Sequence, residues 1–399
     1  MGRSKAAADK LFDKGFDYYQ KSEWKQALNC WLKAKKTYEE LGYQQMVANT
    51  YNNLGLVYAD MGEWPKAIEF YQKSLETSEK LGDKAGISET LKNLGEINIK
   101  NGNWDEAETF FEKSLIIAQE LAPLSTVEIL SNLGELSGLE DKYDKAISFL
   151  NKALEIARTA GAKPVEIDIL QKLADVHLSR YLPDKGERDI SSAREFFDKS
   201  HELAISMNMR MQEGIALRGI GIILAKKGDI KGSRNQFTKS IELFNQLGAL
   251  FELQKTYLEY SRILYENGFI IEAEIAAKSA AFDSKRNDFR ELLIKAYLLL
   301  GDISMKNRNQ YEYYLEALEV AEFNPKIFVR TCYHLVFRMK KMETQMLLNF
   351  IGSLKKQNKD KVFNRLLETL DAKIQGKYYD MAEIPGALVQ EIEGFQKTS

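Results

Sequence analysis

Residues 51–90 read YNNLGLVYADMGEWPKAIEFYQKSLETSEKLGDKAGISET, and residues 91–121 repeat the phrase as LKNLGEINIKNGNWDEAETFFEKSLIIAQEL. Gly55 recurs forty residues on as Gly95, Trp64 as Trp104, Ala67 as Ala107, Tyr71 as Phe111 and Ser74 as Ser114. Self-similarity at a fixed period of this size is the signature of a solenoid, in which each supersecondary unit packs only on its neighbours. Within one unit, Leu54, Val57, Tyr58 and Met61 recur at helical spacing, Gly62 interrupts, and Ala67, Ile68, Tyr71 and Leu75 resume. The pattern predicts a helix, a tight turn and a second helix. Gly62 supplies a turn residue free to take positive φ, and Pro65 suits the first turn of the following helix. Gly55 and Ala67 carry almost no side chain, so the two helices can cross closely there, with Tyr71 as bulk above the contact.

These residues resemble the tetratricopeptide repeat, whose offsets are matched by Leu54-Gly55, Tyr58, Gly62-Glu63-Trp64, Ala67, Tyr71 and Ser74. The forty-residue spacing is similar to that of the longer-helix subgroup, which includes kinesin light chains, Pins-type polarity adaptors and bacterial Rap-type regulators. The resemblance implies an all-α, right-handed superhelix of helix-turn-helix units that binds other proteins.

Composition agrees with an all-helical chain. It has 399 residues, only six prolines and long stretches rich in Ala, Leu, Glu and Lys. A net charge of −2 gives no support for nucleic-acid binding. Cys30 and Cys332 lie far apart, which argues against a disulfide framework or a cysteine metal site. The first ten residues, MGRSKAAADK, lack the apolar core of a signal peptide. The most apolar stretch, Gly214 to Ala225, is broken by Arg218. The expectation is a cytoplasmic protein with no membrane insertion.

The expected organisation is eight repeats over residues 6–326, at 6–45, 46–85, 86–125, 126–164, 165–211, 212–251, 252–291 and 292–326, then a helical capping region at 327–399. Repeat one keeps Gly15, Trp24, Ala27, Trp31 and Ala34, and repeat four keeps Leu133-Gly134, Tyr143, Ala146 and Ala153. Repeat five keeps Leu173-Ala174 but lengthens its turn through the polar stretch Arg180 to Asp189. An eighth unit is marked by Leu300-Gly301, Tyr314, Ala317 and Pro325, after which helices are expected at Phe328 to Lys341, Glu343 to Gln357 and Lys361 to Ile374.

No catalytic constellation is visible. His177, His201 and His334 have no Cys or His at metal-ligand spacing, the glycines sit at packing and turn positions, and no carboxylate is paired with a nucleophile. The expectation is a non-enzymatic chain without metal or cofactor. The series Trp24, Trp64, Trp104 and Tyr143 is regular enough to be structural, each residue leading into a second helix.

In the fold the resemblance implies, the first helix of each unit faces a concave groove. The positions six before, two before and one after the key glycine then point inward. Two before it come Asn53, Asn93 and Asn132, amides that donate and accept together. The resemblance implies that such asparagines hold the main chain of a bound segment; the bland alternative is bonding to neighbouring repeats. The other inward positions carry Glu89, Glu96, Glu128, Glu135, Asp168 and Asp175 in the first half of the chain. Arg218, Lys255 and Arg262 make the second half more basic. A scaffold is expected, holding a protein or peptide segment whose basic residues face repeats two to five. The Rap-type alternative, a peptide sensor that releases a partner, is disfavoured because the first repeat begins within ten residues of Met1.

Overall fold

Apolar residues at three- and four-residue spacing, separated by short polar breaks, fold as amphipathic helices that bury one stripe each. The computed structural model describes residues 4–20, 23–61, 63–100, 103–181, 186–287, 289–304, 310–321 and 331. Among the described residues there are α-helices and one 3₁₀ turn, and no strand. Gly62, Pro183, Pro325, Cys332 and His334 lie outside them, as does the expected capping region 327–399 apart from Thr331.

The chain divides into two compact units at Ala204 and Ile205. The first unit holds α1 (Lys5–Gln20), α2 (Trp24–Leu41), α3 (Gln44–Asp60), α4 (Trp64–Leu81), α5 (Lys84–Lys100) and α6 (Trp104–Gln119). It continues through the 3₁₀ turn Pro123–Thr126 into α7 (Val127–Leu139), α8 (Tyr143–Thr159), α9 (Lys163–Arg180) and α10 (Glu187–Ser206). The second unit contains α11 (Arg210–Lys226), α12 (Ile230–Leu247), α13 (Leu250–Glu266), α14 (Ile270–Arg286), α15 (Arg290–Ile303) and α16 (Gln310–Ala321). Within the first unit α1 packs on α2, α3 on α4, α5 on α6 and α7 on α8, and each pair packs on the next. The second unit repeats the arrangement with α11 on α12, α13 on α14 and α15 on α16. This is the stacked helix-pair architecture the repeat predicts.

The pairs are held by an absent side chain. A Cβ placed on Gly55 would lie 2.5 Å from the Tyr71 ring, and one on Gly95 would lie 2.5 Å from the Phe111 ring. Gly134 stands in the same relation to Leu150 at 2.7 Å, and Gly221 to Phe237 at 2.9 Å. Tyr71, Phe111, Leu150 and Phe237 are fully buried, as are Ala67, Ala107 and Ala146. The bulky residue therefore sits on the glycine itself, not merely above the crossing. Hydrogen bonds tie the two helices together at the small residues: Ser74 Oγ donates to the Ala48 carbonyl at 2.9 Å, and Ser240 Oγ to that of Gly214 at 2.8 Å.

Turns between pairs use a left-handed residue. Gly42 and Gly82 end α2 and α4 at φ of +78° and +67°, letting their N–H groups bond back to Glu39 and Glu79. Trp24, Trp64, Trp104 and Tyr143 are the first residues of α2, α4, α6 and α8. That position makes the aromatic series part of the turn.

Two glycine substitutions test this packing in opposite directions. Replacing a helical glycine by alanine gains about 1 kcal/mol in helix propensity. At Gly95 the new methyl would collide with a buried ring, so Gly95→Ala should be destabilised by about 1–3 kcal/mol net. At Gly138 the Cβ would meet only Val176, at 3.5 Å, an ordinary contact. Gly138→Ala should therefore gain up to about 1 kcal/mol. Denaturant unfolding of both variants gives the answer, and equal effects would refute the crossing described.

Candidate interaction face

In the first unit α3 touches α5, α5 touches α7 and α7 touches α9, while successive second helices make no comparable contact among the described residues. A row of elements crowded on one side curves toward that side, so the first helices line the inner side of this unit. Seven residues make nearly two helical turns, which places Glu89 with Glu96, Glu128 with Glu135 and Asp168 with Asp175 on common faces. All six belong to α5, α7 and α9, and all are solvent-exposed except the half-buried Glu96.

The structure brings these carboxylates together with groups from the next helix along. Asn132 Nδ2 donates to Glu96 Oε1 at 2.7 Å, and Asn52 Nδ2 to Glu89 Oε1 at 3.4 Å. Lys92 pairs with Glu128 at 2.6 Å and Lys172 with Glu135 at 2.9 Å. Burial pushes the Lys92 ammonium down, but Glu128, Glu96 and Glu89 outweigh it and hold its pKa above the ordinary lysine value. The face is therefore a charge ladder of carboxylates with Lys92 and Lys172 set among them.

The asparagines divide into two kinds. Asn93 is buried and donates to Asn52 Oδ1 at 2.9 Å, and Asn132 is buried against Glu96. Their donors thus cross-link adjacent repeats, as the bland reading held. Asn53 is also buried, yet its Nδ2 finds no hydrogen-bond partner. A buried N–H left unpaired is costly. The pairing role of Asn52, Lys92 and Lys172 was not read from the sequence. Asn52 and Lys92 fall just beside positions assigned to the groove, Lys172 stands two before Ala174 at the groove offset itself, and only the approach of neighbouring first helices makes them partners.

In the second unit Arg218 departs from the expected placement. It is buried, donating through Nη1 to Glu252 Oε2 at 2.6 Å and Thr256 Oγ1 at 3.1 Å, with its guanidinium over the Phe244 ring. It stands three residues before Gly221, an offset that rotates it off the exposed face and into the packing of α11 against α12 and α13. Lys255 and Arg262 are exposed, and Arg262 pairs with Glu259 at 2.6 Å on its own helix.

The lengthened turn of the fifth repeat carries a further polar cluster. Asp189 at the start of α10 accepts from Arg180 Nε at 2.8 Å and lies 2.9 Å from His177 Nδ1, while Arg180 Nη1 donates to Asp144 at 2.9 Å. His177 stacks on Phe196, which joins the core of the first unit. Partial burial raises the Asp189 pKa, but the bonds from Arg180 and His177 prevail and hold it below the usual carboxylate value. The cluster fastens the start of α10 to the end of α9. Among the described residues no cluster of three metal-ligating side chains occurs, and no helix is long and apolar enough to cross a membrane.

Stacked helix pairs with a charged inner face define a protein-interaction scaffold. The tetratricopeptide repeat family model matches residues 7–80 and 86–159, so that stretch of the first unit carries tetratricopeptide repeats. Its sequence finds no match among curated proteins. Its fold is similar to that of a Rap protein solved in complex with competence and sporulation factor, at 12% identity and a TM-score of 0.59 over 94% of this chain and 100% of that one. The Rap conjugation gene regulator of plasmid pLS20, solved with the Phr* peptide, is similar at 14% identity and a TM-score of 0.56, over 81% and 97% of the two chains. The apo form of RapI aligns at 15% identity and 0.55, over 74% and 99%.

Asp189→Asn tests the clamp between α9 and α10. Losing the charged acceptor should destabilise the protein by about 1–3 kcal/mol at neutral pH. Because the folded-state pKa of Asp189 is depressed, its contribution is present above the unfolded value of about 3.9 and fades as pH falls through the folded one. Unfolding measured across pH should show the gap between variant and wild type closing only in strong acid.

Proposed function

We propose that the inner face of the first unit binds a segment of another protein, and that the chain works as a non-enzymatic scaffold. The observation that supports this reading best is the register of Glu89, Glu96, Glu128, Glu135, Asp168 and Asp175 on adjoining first helices. Carboxylates on an inward-curving wall steer and select a ligand of opposite sign, and an amide fixes its main chain. The ligand is a segment bearing Lys and Arg along the stretch that lies against α5, α7 and α9. Lys92 and Lys172 compete with it for Glu128 and Glu135.

A second reading has its own support. One of the similar structures holds the Phr* peptide, and another, matched along its whole length, holds competence and sporulation factor. A peptide seated on the first helices would change their spacing, and with it the surface offered to a further partner.

Selecting random linear peptides against the immobilised protein tests the groove without a known partner. Wild type should enrich Lys- and Arg-bearing sequences. A variant carrying Lys at 89, 128 and 135 should lose that enrichment with its helicity unchanged, since these side chains are not core. Asn53→Ala should leave stability unchanged or slightly raised, because its donor has no partner in the free chain. Asn93→Ala should instead lower stability. Peptides selected without regard to charge would exclude the acidic face as the site.

A further inference from the structure

The outward faces of the second helices follow one register, and α14 breaks it. The positions equivalent to Ile275 in α2, α4, α6, α8, α10 and α12 hold Asn29, Glu69, Thr109, Ser148, Glu195 and Asn235, all exposed and all polar. Ile275 is 62% exposed, and on the same stripe Ile271 is 76% and Phe282 71% exposed. At the position of Phe282, five of those six helices carry a charged residue and only α6 carries an apolar one, Ile116. Packing within the repeat does not call for these side chains, because the other helices pack without them. A contiguous apolar stripe kept in water marks a surface that is covered by association.

The stripe is complementary to itself. Ile271 and Phe282 lie equally far on either side of the junction between Ala276 and Ala277. Glu274 and Lys278, 2.7 Å apart, flank the same junction. Glu272 and Glu274 occupy the first half of α14, while Lys278, Lys285 and Arg286 occupy the second. Asp283 is turned toward α13, where Gln254 Nε2 donates to it at 3.2 Å. An antiparallel copy with its two-fold axis at that junction sets Ile271 against the partner's Phe282. The same axis lays the Lys278 alkyl chain on the partner's Ile275 and its ammonium beside the partner's Glu274. A parallel copy would set like charges together. Antiparallel helix dipoles favour the same choice. We propose that α14 is an isologous self-association surface through which two copies of this chain pair.

Sedimentation of the full chain over a range of concentrations tests the proposal. Wild type should show a reversible monomer–dimer equilibrium, and Ile275→Glu should weaken it by about tenfold or more, as loss of a central apolar anchor does. The exposed position predicts unchanged thermal unfolding for that variant. Glu274→Lys and Lys278→Glu should each impair pairing alone, because each sets like charges across the axis. Mixing the two should restore association, since each then meets its opposite. A wild-type chain that stays monomeric overturns the proposal, as does association that survives Ile275→Glu or a mixture that fails to recover. A monomer whose Ile275→Glu form also melts lower would assign the stripe to another part of the same chain, and overturns it too.

Discussion

A bulky side chain seated on a glycine sets the geometry of the pairs α3–α4, α5–α6, α7–α8 and α11–α12. Tyr71 on Gly55 and Phe111 on Gly95 leave no room for even one methyl between the helices. That contact fixes how far apart the two helices lie and at which residue they cross. The crossing in turn fixes which way every other residue of the first helix points. Once Gly95 faces Phe111, Glu89 and Glu96 must face away from the second helix, and Asn93 must sit between neighbouring pairs. The functional face is thus a geometric consequence of the core, repeated as often as the core motif is repeated.

That dependence explains why the acidic face is also a structural seam. Adjacent first helices come close enough for Asn132 to reach Glu96 and for Lys92 to reach Glu128. Exposed ion pairs of this kind contribute little to stability, about 0–1 kcal/mol each. A basic ligand can therefore displace Lys92 or Lys172 at small cost, whereas the buried amide bond from Asn93 to Asn52 is much harder to exchange. The face accordingly combines fixed cross-links with replaceable ones. A ligand of the proposed charge would act on the replaceable set and leave the buried cross-links in place.

Much of this was legible in the sequence because the repeat samples each structural position several times. The helix pairs, the turns after α2 and α4, the aromatic residues that open the second helices and the exposed register of Glu89, Glu128 and Asp168 all follow from offsets to the key glycine. Arg218 was misplaced because it was assigned by charge and not by offset; three before the glycine is a packing position. Asn52, Lys92 and Lys172 escaped notice for a related reason, since their partners lie one repeat away and only helix-to-helix distance reveals them. The clamp of His177, Arg180 and Asp189 stands in a turn that occurs once, so no second copy existed to show its pattern. The division at Ala204 has no periodic signal at all.

The same logic separates what a repeat protein needs from what it has added. Positions buried in every unit, such as Ala67, Ala107 and Ala146, report only on packing. Positions exposed in every unit are released from that duty, so their residue types are free to drift toward the polar average. Against that average an acidic run on first helices and an apolar run on one second helix are both departures that the core does not require. They differ in chemistry and therefore in what they can recognise. The acidic wall is long, hydrated and sensitive to salt, suited to a charged segment in exchange with solvent. The stripe on α14 is short, apolar and indifferent to salt apart from its central Glu274 and Lys278, suited to a matched surface that excludes water. One chain carrying both has, in each of its two units, a surface that the core of that unit does not require.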